Sequence, residues 1–289
     1  MRHRLRRLLP FVGIAIVLAA CGGSEEKTFS PLDPGDPGPI HVHGLGINPE
    51  DGSLFIATHT GLYRVGKDER KATRVADRYQ DTMGFTVVGP NRFLGSGHPD
   101  LGEAREKDLP PLLGLIESKD AGGTWEPISL LGEADFHALR FIGERVYGFD
   151  ATNNRLLISA DGGNSWHETR PPGPLLDFAV DPNSPTHIVA SSEHGLLDST
   201  DEGDTWRPLF DAAGLLAWPS ATRFYLVTVG GQVFTSMDAG TNWEHVGQIG
   251  GEPAALLATN VEELYVALHD GTIKQSRDSG TSWTVRSTP

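Results

Sequence analysis

Five copies of one eight-residue phrase constrain this 289-residue chain more than any other feature: SKDAGGTW from Ser118, SADGGNSW from Ser159, STDEGDTW from Ser199, SMDAGTNW from Ser236 and SRDSGTSW from Ser276. They begin 37 to 41 residues apart, a period that gives one small antiparallel sheet per repeat and a radial array of such sheets. Each phrase predicts a hairpin turn between the last two strands of a blade. Its Asp accepts hydrogen bonds from turn amides, a Gly supplies a positive φ and a hydroxyl closes the loop. Trp then turns inward as an apolar wedge whose ring is buried and whose indole N–H needs a partner. The structural positions are therefore Asp120 and Trp125, Asp161 and Trp166, Asp201 and Trp206, Asp238 and Trp243, and Asp278 and Trp283. Aligning the repeats predicts an all-β, six-bladed β-propeller over 40–289, with blades beginning near Ile40, Met83, Asp135, Leu176, Gly214 and Pro253. Blade 1 keeps the strand pattern in HVHGLGINPEDGSLFIATHTGLYRV, but VGKDERKAT stands where its turn phrase is expected.

The phrase resembles the Asp-box, or BNR repeat, of sialidases, sortilin-type receptors and the photosystem II assembly propeller. In those families the box sits on the rim, away from the functional site, so the resemblance implies fold and leaves function open. HVHGLG, ATHTGL, GSGHPD and DFHAL together resemble a group of bacterial Asp-box lipoproteins of glycosyl hydrolase-like type, over essentially the whole chain beyond the leader. Sialidase chemistry itself needs an early Arg-Ile-Pro phrase and a Tyr nucleophile paired with Glu. No Arg-Ile-Pro occurs, and of the five tyrosines only Tyr79 falls outside the expected strands.

Residues 1–20 read as an address, with Arg2, Arg4, Arg6 and Arg7 ahead of an apolar stretch from Leu8 to Leu18. Leu18, Ala19, Ala20 and Cys21 resemble the lipobox of bacterial lipoproteins, which implies that Cys21 becomes a lipidated N-terminus. Residues 21–39 then form a Gly-, Pro- and acid-rich tether. The expectation is an exported, extracytoplasmic monomer that touches the membrane through its lipid alone. Cys21 is the only cysteine, so no disulfide forms within the chain. Loss of the four leader arginines takes the formal charge from −14 to −18, which argues against nucleic acid as a partner.

Strand order within a blade places the starts of the innermost strands and the loops joining the second to the third strand on one face. Seven of the ten histidines after residue 20 map there: His41, His43, His59, His98, His137, His194 and His269. His41 and His43, two apart on a strand, are expected to share a side. His41, His43, His59, His98 and His137 gather around blades 1 to 3, with Met83 as a possible soft ligand. Asp100, Asp135 and Asp150 are carboxylates placed to ligate or to orient the imidazoles. That pattern points to Cu or Zn, or to a small ligand, at the mouth of the channel. A loop of about sixteen residues after His98 is expected to act as a lid. Two other readings stay open. One is a non-enzymatic scaffold for an exported protein partner, as the resemblance to the photosystem assembly propeller implies. The other is a glycoside hydrolase or sialidase-like enzyme using a carboxylate pair such as Asp100 with Asp135 or Asp150.

Overall fold

The computed structural model describes residues 38–289, so the leader, Cys21 and most of the tether lie outside the described residues. Twenty-four strands form six four-stranded sheets, each pairing in chain order. Blade 1 comprises β1 (Val42–Ile47), β2 (Leu54–Thr58), β3 (Gly61–Val65) and β4 (Thr73–Arg74), and blade 2 comprises β5 (Asp81–Gly89), β6 (Arg92–His98), β7 (Leu115–Ser118) and β8 (Glu126–Ser129). Blade 3 runs from β9 (Phe136–Ile142) through β10 (Arg145–Asp150) and β11 (Arg155–Ser159) to β12 (His167–Thr169). The remaining blades are β13–β16 within 177–210, β17–β20 within 214–248 and β21–β24 within 253–287. The first strand of each blade lies beside the first strand of the next, and β21 lies beside β1, which closes the ring into a six-bladed propeller. No helix among the described residues is long and apolar enough to cross a membrane.

Each repeated phrase is the turn between third and fourth strands. The Ser hydroxyl donates to the Asp carboxylate at 2.7–2.9 Å and accepts the amide of the residue four further on at 2.8–2.9 Å. The same carboxylate oxygen takes the amide one place before Trp. Two successive residues have positive φ, and the first of them is usually not Gly: Ala121, Glu202, Ala239 and Ser279. The backbone path therefore depends on the Ser and Asp hydrogen bonds as well as on glycine.

The five tryptophans are half-buried, less enclosed than the sequence predicts. Each packs on the apolar cluster between its own blade and the one before. Their N–H groups differ. Trp166 donates to Ser129 and Trp283 to the Gly280 carbonyl, both at 3.0 Å, whereas those of Trp206 and Trp243 are buried without a partner. The boundary between blades 6 and 1 has no such Trp. Tyr63, Ile56 and Val65 pack there on Tyr265, Ala267 and Ile273.

Candidate metal centre at the channel mouth

Register decides which side chains reach the mouth. Val42 faces Thr58 across β1–β2, Asp81 faces His98 across β5–β6 and Phe136 faces Asp150 across β9–β10. All three pairings carry an irregularity at this end, between Val42 and Gly44, Thr82 and Phe85, and Phe149 and Asp150. Such bulges turn the strand locally and re-aim its side chains. Gly97 permits the approach of β6 to β5: its φ is 131°, and a Cβ there would lie 2.1 Å from the Asp81 carbonyl oxygen.

His43, His59 and Asp81 form one group whose ligand atoms all lie within 4.8 Å of one another. His59 Nδ1 is 2.8 Å from Asp81 Oδ2, and His43 Nε2 is 3.8 Å from Asp81 Oδ1. The last two atoms are buried, and neither has a hydrogen-bond partner. His59 is 63% exposed, so the group opens to solvent chiefly through that ring. Burial first, then the neighbouring rings of His59, His137 and His41, lower the His43 pKa to about 4. His43 is thus a neutral donor at ordinary pH. Burial raises the Asp81 carboxyl, against the opposing pull of His59 and His98. Ligands about 2.0–2.1 Å from a zinc ion stand roughly 3.3 Å apart in a tetrahedron. Two orphaned donors 3.8 Å apart, with a third ligand on the same carboxylate, fit such an ion after small side-chain adjustments.

A second group lies at the next blade boundary. His137 Nε2 is 3.0 Å and His98 Nε2 is 3.8 Å from Asp135 Oδ2, and Asp135 Oδ1 is buried without a partner. The hydrogen bond to Asp135 raises the His137 pKa despite burial. Burial would raise that of Asp135, but the His137 hydrogen bond and the charges of His137 and His98 together lower it. His43, Met83 and His137 also line the central channel, about 440 Å³ in volume, whose wall is otherwise largely Leu, Ala, Phe and Trp218.

The other expected residues fall differently. His41 precedes β1 at φ 52°, its side chain exposed and its ring 6.3 Å from that of His59. The bulge after Val42 and this left-handed turn break the simple alternation expected of His41 and His43. Asp100 does not reach the histidines, and Asp150 acts on them at one remove, accepting the Asp135 amide at 3.4 Å and helping to raise the His137 pKa. Asp100 caps a short helix, α1 (Leu101–Lys107), accepting the amides of Gly102 and Glu103, and its other oxygen takes the Tyr79 amide. Asp150 is fully buried and paired with the Arg155 guanidinium of the same blade at 2.7 Å, and it also accepts from Asn153. The long loop that holds α1 does not line the channel; its Pro111 carbonyl reaches His98 at the mouth, and Arg78, in the link between blades 1 and 2, pairs with Glu103 to hold it in place. His194 and His269 sit in turns far along the ring, His194 beside Glu193. Asp81 is the residue that histidine spacing alone misses. Its signal is positional, because an Asp stands at or just before the first strand in QDTMGF, ADFHAL and LLDFAV alike.

No family model matches the chain. A stretch of 112 residues, 38% of the chain, is 30% identical to the dispase autolysis-inducing protein of Streptomyces mobaraensis and spans only 29% of that protein's length. Among solved structures the chain is similar to YCF48 bound to D1 peptide, with a TM-score of 0.54 and 15% identity over 86% of this chain and 83% of that one. It is also similar to the GH74 enzyme of Niastella koreensis, with a TM-score of 0.52 and 19% identity over 82% of this chain and 37% of that one. A nidogen/laminin complex gives a TM-score of 0.61 and 12% identity over 82% and 93%. At these identities the likeness is one of fold.

Proposed function

We propose that this chain is an exported, lipid-anchored propeller that binds a late transition metal ion, zinc or copper, through His43, His59 and Asp81. One observation carries the reading: two buried ligand atoms without partners, His43 Nε2 and Asp81 Oδ1, face each other across 3.8 Å beside His59. Imidazole and carboxylate together suit zinc or copper. Burial keeps His43 in the neutral form that a metal requires. With three protein ligands, a bound ion would keep a position open for a small ligand. His41 stands beside His59, and Met83 lines the channel as a soft donor near the mouth.

Titration with Zn2+ and Cu2+ is expected to reveal a site tighter than micromolar. His59→Ala or Asp81→Asn should weaken it at least ten-fold, and His245→Ala on an outer strand should leave it unchanged. Equal binding by wild type and His59→Ala would overturn the reading. The anchor is tested separately. Cys21→Ser should move the protein from membrane to soluble fractions with its thermal transition unchanged, and retention after carbonate washing would refute lipidation at Cys21.

A second reading, a scaffold for an exported protein partner, is favoured by exposed apolar side chains on the histidine-bearing face: Leu101, Leu176 and Val229. The peptide-bound YCF48 structure has a comparable fold, and an acidic surface would select basic partners. Peptide capture that persists in His59→Ala and without metal would favour it. A hydrolase reading would draw on Asp81 with Asp135, since Asp177 in the channel wall is paired with Arg140.

A further inference from the structure

At the next blade boundary two histidines share one buried carboxylate oxygen, in a more open arrangement than the first group, and resting on the reading above, we infer that His98, His137 and Asp135 hold a second divalent transition metal ion, so that the mouth takes a pair.

The tautomer of His98 is the first step. Its Nδ1 lies 2.8 Å from the Pro111 carbonyl oxygen, which can only accept, so Nδ1 carries the hydrogen. In the neutral ring Nε2 then presents a lone pair, and it is aimed at Asp135 Oδ2 across 3.8 Å. A lone pair facing a carboxylate at that distance has no hydrogen between them, and a cation in the gap would satisfy both. His43 and Asp81 show the same gap with the same atom types. Fixing Nδ1 on a backbone carbonyl is also the usual way of orienting a metal-binding imidazole.

The burial of Asp135 is the second step. Its side chain is 5% exposed, and its Oδ1 has no partner. An unpaired buried carboxylate oxygen is costly unless something else binds it. His137 supplies the third ligand, and a metal ion entering there displaces the proton shared with Asp135 to solvent.

A contrast one blade further on sharpens the assignment. There the end of β10 carries Asp150 in place of a histidine, and Asp150 is neutralised by Arg155 while Asp177 is neutralised by Arg140. Asp81 and Asp135 have no arginine or lysine partner among the described residues, and the ion partners beside them are histidines. The cation built into the third boundary is missing from the first two. The two groups are also close enough to interact, Asp81 with His98 and Asp135, and His43 with His137.

The test is zinc stoichiometry on the full chain extracted in detergent, freed of loose metal and measured by mass spectrometry, with His98→Gln and His59→Ala in parallel. Gln at position 98 can still donate to Pro111, and matched thermal transitions report that each variant is folded. Wild type should hold two ions, and each variant one. One ion in wild type that is lost in His59→Ala but kept in His98→Gln would overturn the second position and leave the first. One ion lost only in His98→Gln would do the reverse. Absence of zinc from all three would overturn both.

Discussion

His43 and His137 line the same channel, yet their surroundings drive them in opposite directions. Burial brings His43 down to about 4, whereas the carboxylate of Asp135 raises His137. In metal-free protein, NMR titration should find His43 neutral from pH 8 to 5 and His137 titrating above about 6.5. The signs for stability follow. His43 binds its proton less readily when folded than when unfolded, so its contribution is complete above about 6.5 and is lost as pH falls towards 4. His137 works oppositely, adding stability below its unfolded value and losing it as pH rises through the folded one. A His43 midpoint near 6.5 would mean that its burial has been misjudged. The clustering of His43, His59, His98 and His137 was legible in the sequence because strand order assigns each strand end to a face. The part of Asp81 was missed: its place at the start of β5 matches that of Asp135 and Asp177, but an acidic chain offers carboxylates everywhere, and the bulged register of β5 is what aims this one at the histidines.

At the scale of one turn, Ser and Asp organise the amides and Trp closes the gap to the neighbouring blade. The repeat made the turn legible, but not the fate of each indole, because the partner of an N–H comes from another blade and varies. Trp166 finds Ser129, whereas Trp206 finds none. Trp206→Phe should therefore cost under about 1 kcal/mol, while Trp166→Phe also breaks a bond worth roughly 1 kcal/mol and leaves Ser129 one partner fewer. Trp206→Ala, which opens a half-filled inter-blade gap, should cost about 2–4 kcal/mol. Urea denaturation of the three variants measures these differences. Equal losses for both Phe variants would show that the indole hydrogen bond contributes nothing. The long blade 2 loop illustrates the same limit: its length was visible, but the capping role of Asp100 and the tie from Arg78 depend on three-dimensional neighbours.

Over the whole ring, the sequence period gives the number of blades but not the means by which the last meets the first. Every blade is built from one continuous stretch of chain, so no strand is shared across the junction between blades 6 and 1. The phrase missing from blade 1 also removes the Trp that would otherwise wedge this boundary. Its place in the closure is taken by β24 (Thr284–Ser287). Arg286 donates to the carbonyls of Gly66, Lys67 and Glu69, Ser287 donates to that of Arg70 at 2.7 Å, and Lys71 bridges Thr288 through the backbone. VGKDERKAT is therefore a receptor for residues 286–288 rather than a mere decayed turn. Arg286→Ala leaves three carbonyls without their shared donor, two of them with contacts largely open to solvent, so the expected loss is about 1–3 kcal/mol. Because the loss falls at the junction, hydrogen exchange should speed first in β24 and in residues 66–74, ahead of the blades opposite. Lys at 286 should recover only part of it, since a single ammonium cannot span three carbonyls as a planar guanidinium does. Uniform acceleration around the ring would show instead that closure is held by the Tyr63 and Tyr265 cluster, with Arg286 incidental to it.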